Sequence, residues 1–588
     1  MRKILSIYFL ILYFLTTLSA QNTVIWSEKI SPRLAEQAEN GITSFDVIVV
    51  LNGQADLSTA ATKTSKVSKG IYVLAQLQAN ASQTQAGLIN YLNQQGMSYR
   101  SFYVVNAIQT TGNADQLNTI AQFSTIKKII ANSPYQIEMP TELIGSQLTP
   151  TEIEWGIQMI GADQVWGMGY RGQGAVIGGQ DTGYDWVHPA LQTKYRGYIN
   201  ADSADHNYNW HDAIHSINPL NGDTISSAAN NPCGLDVNEP CDDHRHGTHT
   251  MGIMVGSDGE NKVGVAPDAK WIGCRSMERG WGSPASYIEC FEWVMAPTDL
   301  NNENPNPALA PHAFTNSWGC PPIEGCDTSN FSIMETVVNN VKASGIVVVA
   351  SAGNSGPECS TVSNPASIFE NSFTVGSTQP NDTISEFSSR GPVLVDGSMR
   401  MKPNISAPGS QVRSTIPGND YATFSGTSMA GPHVVGVVAL IISANPSLAG
   451  QVDQIESIIK QSAVVKMTDQ DCGVTPGTVI PNNTYGHGRI DALAAVQLAL
   501  LATPTEELLD MPISVYPNPF TNELHFNLGE ITDNTSVEIF NATGQLILES
   551  VFEGIGIHNL SMSDLSNGVY FYHLKNQGKV MRGKVVKK

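Results

Sequence analysis

Residues 175–183 read AVIGGQDTG. A short apolar run meets Asp181 and breaks at Gly183. Two later stretches repeat the pattern, VVVASAGN at 347–354 and SFTVGS at 372–377. Each reads as a buried strand that ends in a loop of small residues. Helix-like stretches lie between them. Strands alternating with helices predict an α/β fold, a mostly parallel sheet flanked by helices. In such sheets the working residues sit on loops at the carboxyl ends of strands. This region is taken as residues 151–503. The segment 190–245 is rich in Asn, Asp and His and is expected to be a long surface insertion.

Two units of different character flank it. Within 21–150, FDVIVVLNG (45–53) and SFYVVNAIQTTG (101–112) read as strands. Asn113 is placed to cap a short helix over ADQLNTIAQF, and IKKII (126–130) reads as a returning strand, so a small α+β unit is expected. Beyond LATPTEELLD (501–510), stretches such as NELHFNL, SVEIF and GVYFYHL read as short strands. NATGQ and NQGK supply turns, so 504–588 is expected to be a β-sandwich. Residues 1–20, MRKILSIYFLILYFLTTLSA, read as a secretory signal peptide. Their apolar run is shorter than the ~20 residues of a spanning helix.

The chain has 588 residues, 41% hydrophobic and 14% charged, enough apolar surface for several cores. Lys plus Arg number 32 against 53 Asp plus Glu, a net charge of −21. That balance excludes a nucleic-acid protein, which needs a basic face. An exported chain can hold disulfides. Cys233 with Cys241, Cys274 with Cys290, and Cys320 with Cys326 are close in sequence, and proximity leaves Cys359 with Cys472. Eight cysteines allow 105 pairings, so the other pairings stay open.

Three segments carry reactive groups. Asp181 ends the first strand, DDHRHGTHTMG (242–252) holds His246, and FSGTSMAGP (424–432) holds Ser428. A serine hydroxyl needs an imidazole to take its proton and an acid to orient that imidazole. SAGNSG (351–356) holds Asn354, whose amide can donate to an oxyanion, together with the Ser428 N–H. Small residues around Ser428 let substrate approach, and Pro432 is expected in a first helical turn. VVGVVALII (434–442) is buried, but its pattern leaves helix and strand open. His433 reads as a packed helical histidine. His244, His246 and His249 with Asp242 and Asp243 leave a metal site as the alternative. The GxSxG elbow is absent, which speaks against an α/β-hydrolase esterase.

QDTG, HGTH, NSWG, SAGN and GTSMAGPH together resemble the subtilisin-like serine proteases, the subtilases; KPNISAPG (402–409) and GHGRIDA (486–492) extend the likeness. The resemblance implies a serine endopeptidase with Asp181, His246 and Ser428 as triad and Asn354 as oxyanion donor. It implies a side-chain pocket lined by Ser317, Trp318, Gly319, Ala352 and Gly353. It implies a strand, Gly280, Trp281 and Gly282, that pairs with extended substrate. Gln180 and Trp318 depart from the family's usual aliphatic residues. No catalytic cofactor is implied, and structural calcium stays open. The 21–150 unit resembles a subtilase propeptide, an intramolecular inhibitor, with the cut expected within 138–152. YPNPF (516–520), LSNGVYFYHL (565–574) and the basic end VMRGKVVKK resemble a type IX secretion system sorting domain. Implied partners are protein or peptide substrates and outer-membrane secretion machinery. A secreted or cell-surface monomer is expected. The rival outside enzymes, a binding protein on a dead protease fold, is opposed by the presence of all four catalytic residue types.

Overall fold

The computed structural model describes residues 26–137, 140–142, 153–218, 232–259, 261–320, 326–328, 330–502, 514–528, 534–542, 544–576 and 579–588. The signal-peptide reading, and the 138–152 window apart from 140–142, lie outside the described residues.

The N-terminal unit is a four-stranded antiparallel sheet in the order β2-β3-β1-β4, where β1 is Phe45–Leu51, β2 Tyr99–Phe102, β3 Ala107–Gly112 and β4 Ile126–Ala131. The stretch 101–112 is therefore not one strand but parts of a hairpin, turned near Asn106 at φ 42. A helix not foreseen, α1 (Lys66–Gln94), precedes β2. Ser65 and Ser68 close its start reciprocally, and its buried face runs Val73, Leu77, Ala81, Gln85, Leu88, Leu92. The expected cap forms: Asn113 accepts from Gln116 N at 3.0 Å at the start of α2 (Ala114–Ala121). The unit ends in two short strands, β5 (Tyr135–Gln136) and β6 (Thr141–Glu142).

The central domain is built on seven parallel strands: β7 (Val176–Asp181), β8 (Trp210–Asp212), β9 (Lys270–Arg275), then, after the short β10 (Trp281–Gly282), β11 (Ala313–Asn316), β12 (Val347–Ser351), β13 (Phe373–Thr378) and β14 (Ile405–Pro408). Their order is β8-β9-β7-β11-β12-β13-β14. The chain starts in the middle, builds one side, then crosses to the other. That crossing opens a crevice at the carboxyl ends of β7 and β11, where such sheets bind ligands. Both faces are buried, so the strands read as continuous apolar runs. One face packs on α3 (His246–Val255) and α6 (Thr427–Ala444); the other packs on α4 (Pro284–Met295), α5 (Phe331–Ala343) and residues of the N-terminal unit such as Ile48, Val73 and Leu77.

Two expectations need correction here. The 190–245 segment is not only surface, because it supplies the edge strand β8, and Trp210 is buried in the main core. Its polar residues misled because they are paired inside: Arg196 Nε donates to Asn209 Oδ1 at 2.5 Å, and Asp212 faces Arg275 at 3.3 Å. VVGVVALII is helical, and α6 starts at Thr427, so Pro432 is its sixth residue and lies inside the helix. Proline there removes the bond to the Ser428 carbonyl. Helix α6 is long and apolar enough to cross a membrane, yet nearly all of it is buried in the domain.

Four disulfides join Cys233–Cys241, Cys274–Cys290, Cys320–Cys326 and Cys359–Cys472, the pairing that sequence proximity favours. Among the described residues the C-terminal region is all β, two antiparallel sheets of three and four strands over a shared core that includes Phe526, Ile539, Tyr572 and Val585.

Candidate active site

Asp181 is the last residue of β7 and is wholly buried. Its Oδ1 accepts from Thr182 N at 2.8 Å and meets His246 Nδ1 at 2.6 Å; its Oδ2 accepts from Thr250 Oγ1 at 3.3 Å. His246 opens α3. Burial pushes its imidazole pKa down, but the Asp181 charge and hydrogen bond outweigh this and hold it above the usual 6.5. The pair is fixed from behind by Asp242, a residue the sequence reading left in a metal cluster. Asp242 accepts from the N–H groups of His244, Arg245 and Thr248 at 2.9, 3.0 and 2.9 Å and from Thr182 Oγ1 at 2.8 Å. The signal was present in the sequence, since an acid just before a helix start reads as a cap. Arg245, the residue before His246, adopts φ 76, and Glu142 of the N-terminal unit holds its guanidinium at 3.1 Å.

The imidazoles of the rival metal reading do not converge. His249 Nε2 faces Ala422 O at 3.0 Å, and burial pushes its pKa to about 3. His244 lies under Gly280, with Nε2 2.7 Å from where a Gly280 Cβ would stand.

Ser428 is the second residue of α6, 7% exposed. Helices α3 and α6 pack on each other and on β7, which brings both N-termini to the crevice. Among the described residues no hydrogen bond reaches the Ser428 hydroxyl, His246 included. Asn354 follows β12. Its Oδ1 accepts from Thr427 N and Thr427 Oγ1, both at 2.9 Å. A backbone donor on one side fixes the amide orientation, so Nδ2 is turned outward, 3.6 Å from the position of a Gly426 Cβ. Thr427 was not singled out from sequence, yet it orients the amide.

The predicted pocket residues lie on the loops after β11 and β12. Ser317 Oγ is 3.2 Å from Ser351 Oγ, which donates to Thr427 O at 3.1 Å. Gly353 has φ 101, and a Cβ there would stand 3.0 Å from Ser389 Oγ, so only glycine fits. Trp318 is not a cleft wall. It is buried, stacked on Tyr287 with ring centroids 3.9 Å apart, beneath the loop that Gly319 continues. Gln180 has a structural reason. It faces Asn316 across β7 and β11 and donates to its Oδ1 at 2.6 Å, which steadies the strand end before Ser317.

Gly280, Trp281 and Gly282 do pair with an extended segment, and that segment is the chain's own. Strand β10 pairs antiparallel with β5, Trp281 opposite Gln136 and Gly282 opposite Tyr135, and Ile137 N donates to Gly280 O at 2.9 Å. A few residues on, β6 pairs with the strand before the serine, Thr141 opposite Ser425 and Glu142 opposite Phe424. Pro140 lies 3.5 Å from the position of a Gly426 Cβ.

Comparison with known proteins adds the lineage. Residues 172–488 match the model described as "Subtilase family", and residues 514–588 match "Secretion system C-terminal sorting domain", which indicates a secreted or surface location. The chain is 37% identical over 462 residues to Bacillopeptidase F of Bacillus subtilis (strain 168), covering 75% of this chain and 29% of that protein. It is 32% identical to Serine protease AprX of the same organism over 43% of this chain and 58% of that protein. It is 33% identical to Subtilisin Savinase of Lederbergia lenta, over 44% of this chain and 79% of that protein. The chain thus spans less than a third of the first of these relatives and under two thirds of the second. With the match over 172–488 and the geometry at Asp181 and His246, the chain belongs to the subtilase family.

Proposed function

We propose that this chain is a secreted serine endopeptidase made as a precursor, with Asp181, His246 and Ser428 as triad. The observation that carries this is the buried 2.6 Å contact between His246 Nδ1 and Asp181, beside helix α6, whose second residue is Ser428. Nδ1 engaged by Asp181 leaves Nε2 as the base. His246 takes the Ser428 proton as the hydroxyl attacks a peptide carbonyl, then passes that proton to the leaving amine. The oxyanion meets the Asn354 Nδ2 group and the Ser428 N–H at the positive end of α6. Water then attacks the acyl-enzyme, His246 again acting as base. Ser317, Gly319, Ala352 and Gly353 border the side chain before the scissile bond, with Trp318 supporting their loop from below. Strand β10 holds the substrate backbone as an added strand.

Residues 21–150 are the propeptide in this reading. Strands β5 and β6 pair with the cleft on either side of residues 138–140, a substrate-like course, which supports a first cut within the 138–152 window. Residues 504–588 direct export through outer-membrane secretion machinery, which the sorting-domain match supports.

The test is cleavage of casein by the purified mature chain, with and without phenylmethylsulfonyl fluoride, beside Ser428→Ala. Loss of cleavage in both arms is expected. Cleavage that survives both and fails with a chelator would overturn the mechanism. N-terminal sequencing of the active enzyme should begin within residues 138–152, and deletion of 512–588 should trap the chain in the periplasm.

A further inference from the structure

A second histidine cluster lies two strands from the catalytic aspartate, where β7, β9 and β8 place Gln180, Cys274 and His211 side by side. His211 on β8 and His215 beyond it both face Glu289 of α4. His211 Nε2 is 2.7 Å from Glu289 Oε1, and His215 Nε2 is 3.1 and 3.0 Å from Oε1 and Oε2. The other ring nitrogen of His215, Nδ1, is 2.5 Å from Asp236 Oδ1. Into this group reaches Arg100 of β2, in the N-terminal unit. Its guanidinium contacts both Glu289 Oε2 and His215 Nε2.

The hydrogen bonding explains why a cation sits there. Nδ1 engaged by Asp236 turns Nε2 of His215 toward the two Glu289 oxygens and the Arg100 guanidinium. A ring nitrogen and two carboxylate oxygens that converge on one point favour a positive group between them. The frame is stiff. His211 stacks on Trp293 of the same helix at 15° between planes, and Cys290, next to Glu289, is bonded to Cys274 on β9.

Two imidazoles, one carboxylate and a carboxylate behind one imidazole are the donor set of a divalent transition-metal centre. Opening the 2.7–3.1 Å separations by a few tenths of an ångström reaches the ~3.3 Å edges of a tetrahedron with ~2.0 Å bonds. In the form described, no group among the described residues is arranged to hold a metal ion, and at this cluster Arg100 fills the centre. We propose that His211, His215 and Glu289 form a zinc-type binding site that the precursor keeps plugged with Arg100 and that opens when the N-terminal unit leaves. The plug rests on the propeptide reading; the donor set does not. On binding, His211 Nε2 gives up the proton it shares with Glu289, and the metal takes the lone pair, so uptake releases a proton. Metal and propeptide then compete for the mature enzyme.

The test uses Co2+, whose visible bands report coordination, with Zn2+ as displacer. The uncut precursor carrying Ser428→Ala should take up no Co2+. Adding Arg100→Ala, or Arg100→Met to keep the apolar stem, should give one Co2+ per chain in the micromolar range, displaced by Zn2+. The mature enzyme should do the same, and His211→Ala or His215→Ala should abolish the signal in both. Failure of both Arg100 variants to bind, or binding indifferent to the two histidines, overturns the site. Equal binding by the Ser428→Ala precursor overturns the plug. If the active enzyme retains residues 26–137, the propeptide reading fails, and the Arg100 variants still decide the metal site.

Discussion

Among the described residues, two histidines meet a carboxylate through Nδ1 at nearly the same distance. His246 Nδ1 is 2.6 Å from Asp181, and His215 Nδ1 is 2.5 Å from Asp236. Their surroundings differ. The first pair is almost fully buried, with side-chain exposures of 1% and 0%; the second stands at 37% and 64%. Both carboxylates fix a ring and direct its Nε2. What Nε2 meets decides the chemistry. In the first pair it is directed to a crevice bounded by the Ser428 helix, a place for proton transfer. In the second it meets a carboxylate and a guanidinium, a place for a bound cation. The distance alone does not assign a role.

Substitutions can break this comparison. The largest effect is expected at the first pair and its serine: Ser428→Ala or His246→Ala should lower kcat about 10⁶-fold, and Asp181→Asn about 10⁴-fold. Asn354→Ala should cost about 10²–10³-fold in kcat with little change in KM, because the amide acts on the oxyanion. Single-turnover assays check all four on chains matured in trans by an added protease that is then removed, because the Ser428→Ala precursor stays uncut. Asp236→Asn is the matching change at the second pair; it should weaken Co2+ binding about 10- to 100-fold.

The pH profile sharpens the contrast. Asp181 raises the His246 pKa above its usual 6.5 against the opposing effect of burial, and the reaction needs the neutral base. As pH falls through that raised value the imidazole is protonated and kcat/KM declines, so the acid limb should lie above 6.5. Activity that stays flat down to about pH 4 would contradict His246 as base. Asp236→Asn should leave this limb in place. The smallest effect is expected at Gly280, where φ is 86 and a Cβ would meet His244 Nε2 at 2.7 Å. Gly280→Ala should cost about 1–2 kcal/mol, read as a fall of a few degrees in Tm.

The catalytic strand was the most legible element because buried parallel strands have a plain signature. AVIGGQDTG states both its burial and its end. The four disulfides also followed from simple proximity. The polar residues of the 190–245 segment were misread because their partners lie outside their own local stretch. Asn209 and Asp212 looked like surface until Arg196 and Arg275 were seen to pair with them. Trp318 was expected among the pocket residues by resemblance, but Tyr287 takes its face. Helix α1 was overlooked because Ser, Gln and Asn dilute its apolar stripe, although Val73, Leu77, Ala81, Leu88 and Leu92 keep helical spacing. The Arg100 contact joins positions more than a hundred residues apart, and no local pattern announces it.

The Cys359–Cys472 bond closes a loop of sequence separation 113 that encloses Ser428 and all of α6. A secreted endopeptidase of the kind proposed has its own chain as its nearest substrate. A nick anywhere between residues 360 and 471 leaves both fragments tied covalently, so the nucleophile stays with the domain that supplies His246 and Asp181. Autolysis in that interval scars the enzyme without dismantling it. The nicked chain should migrate as intact on a gel until a reductant is added.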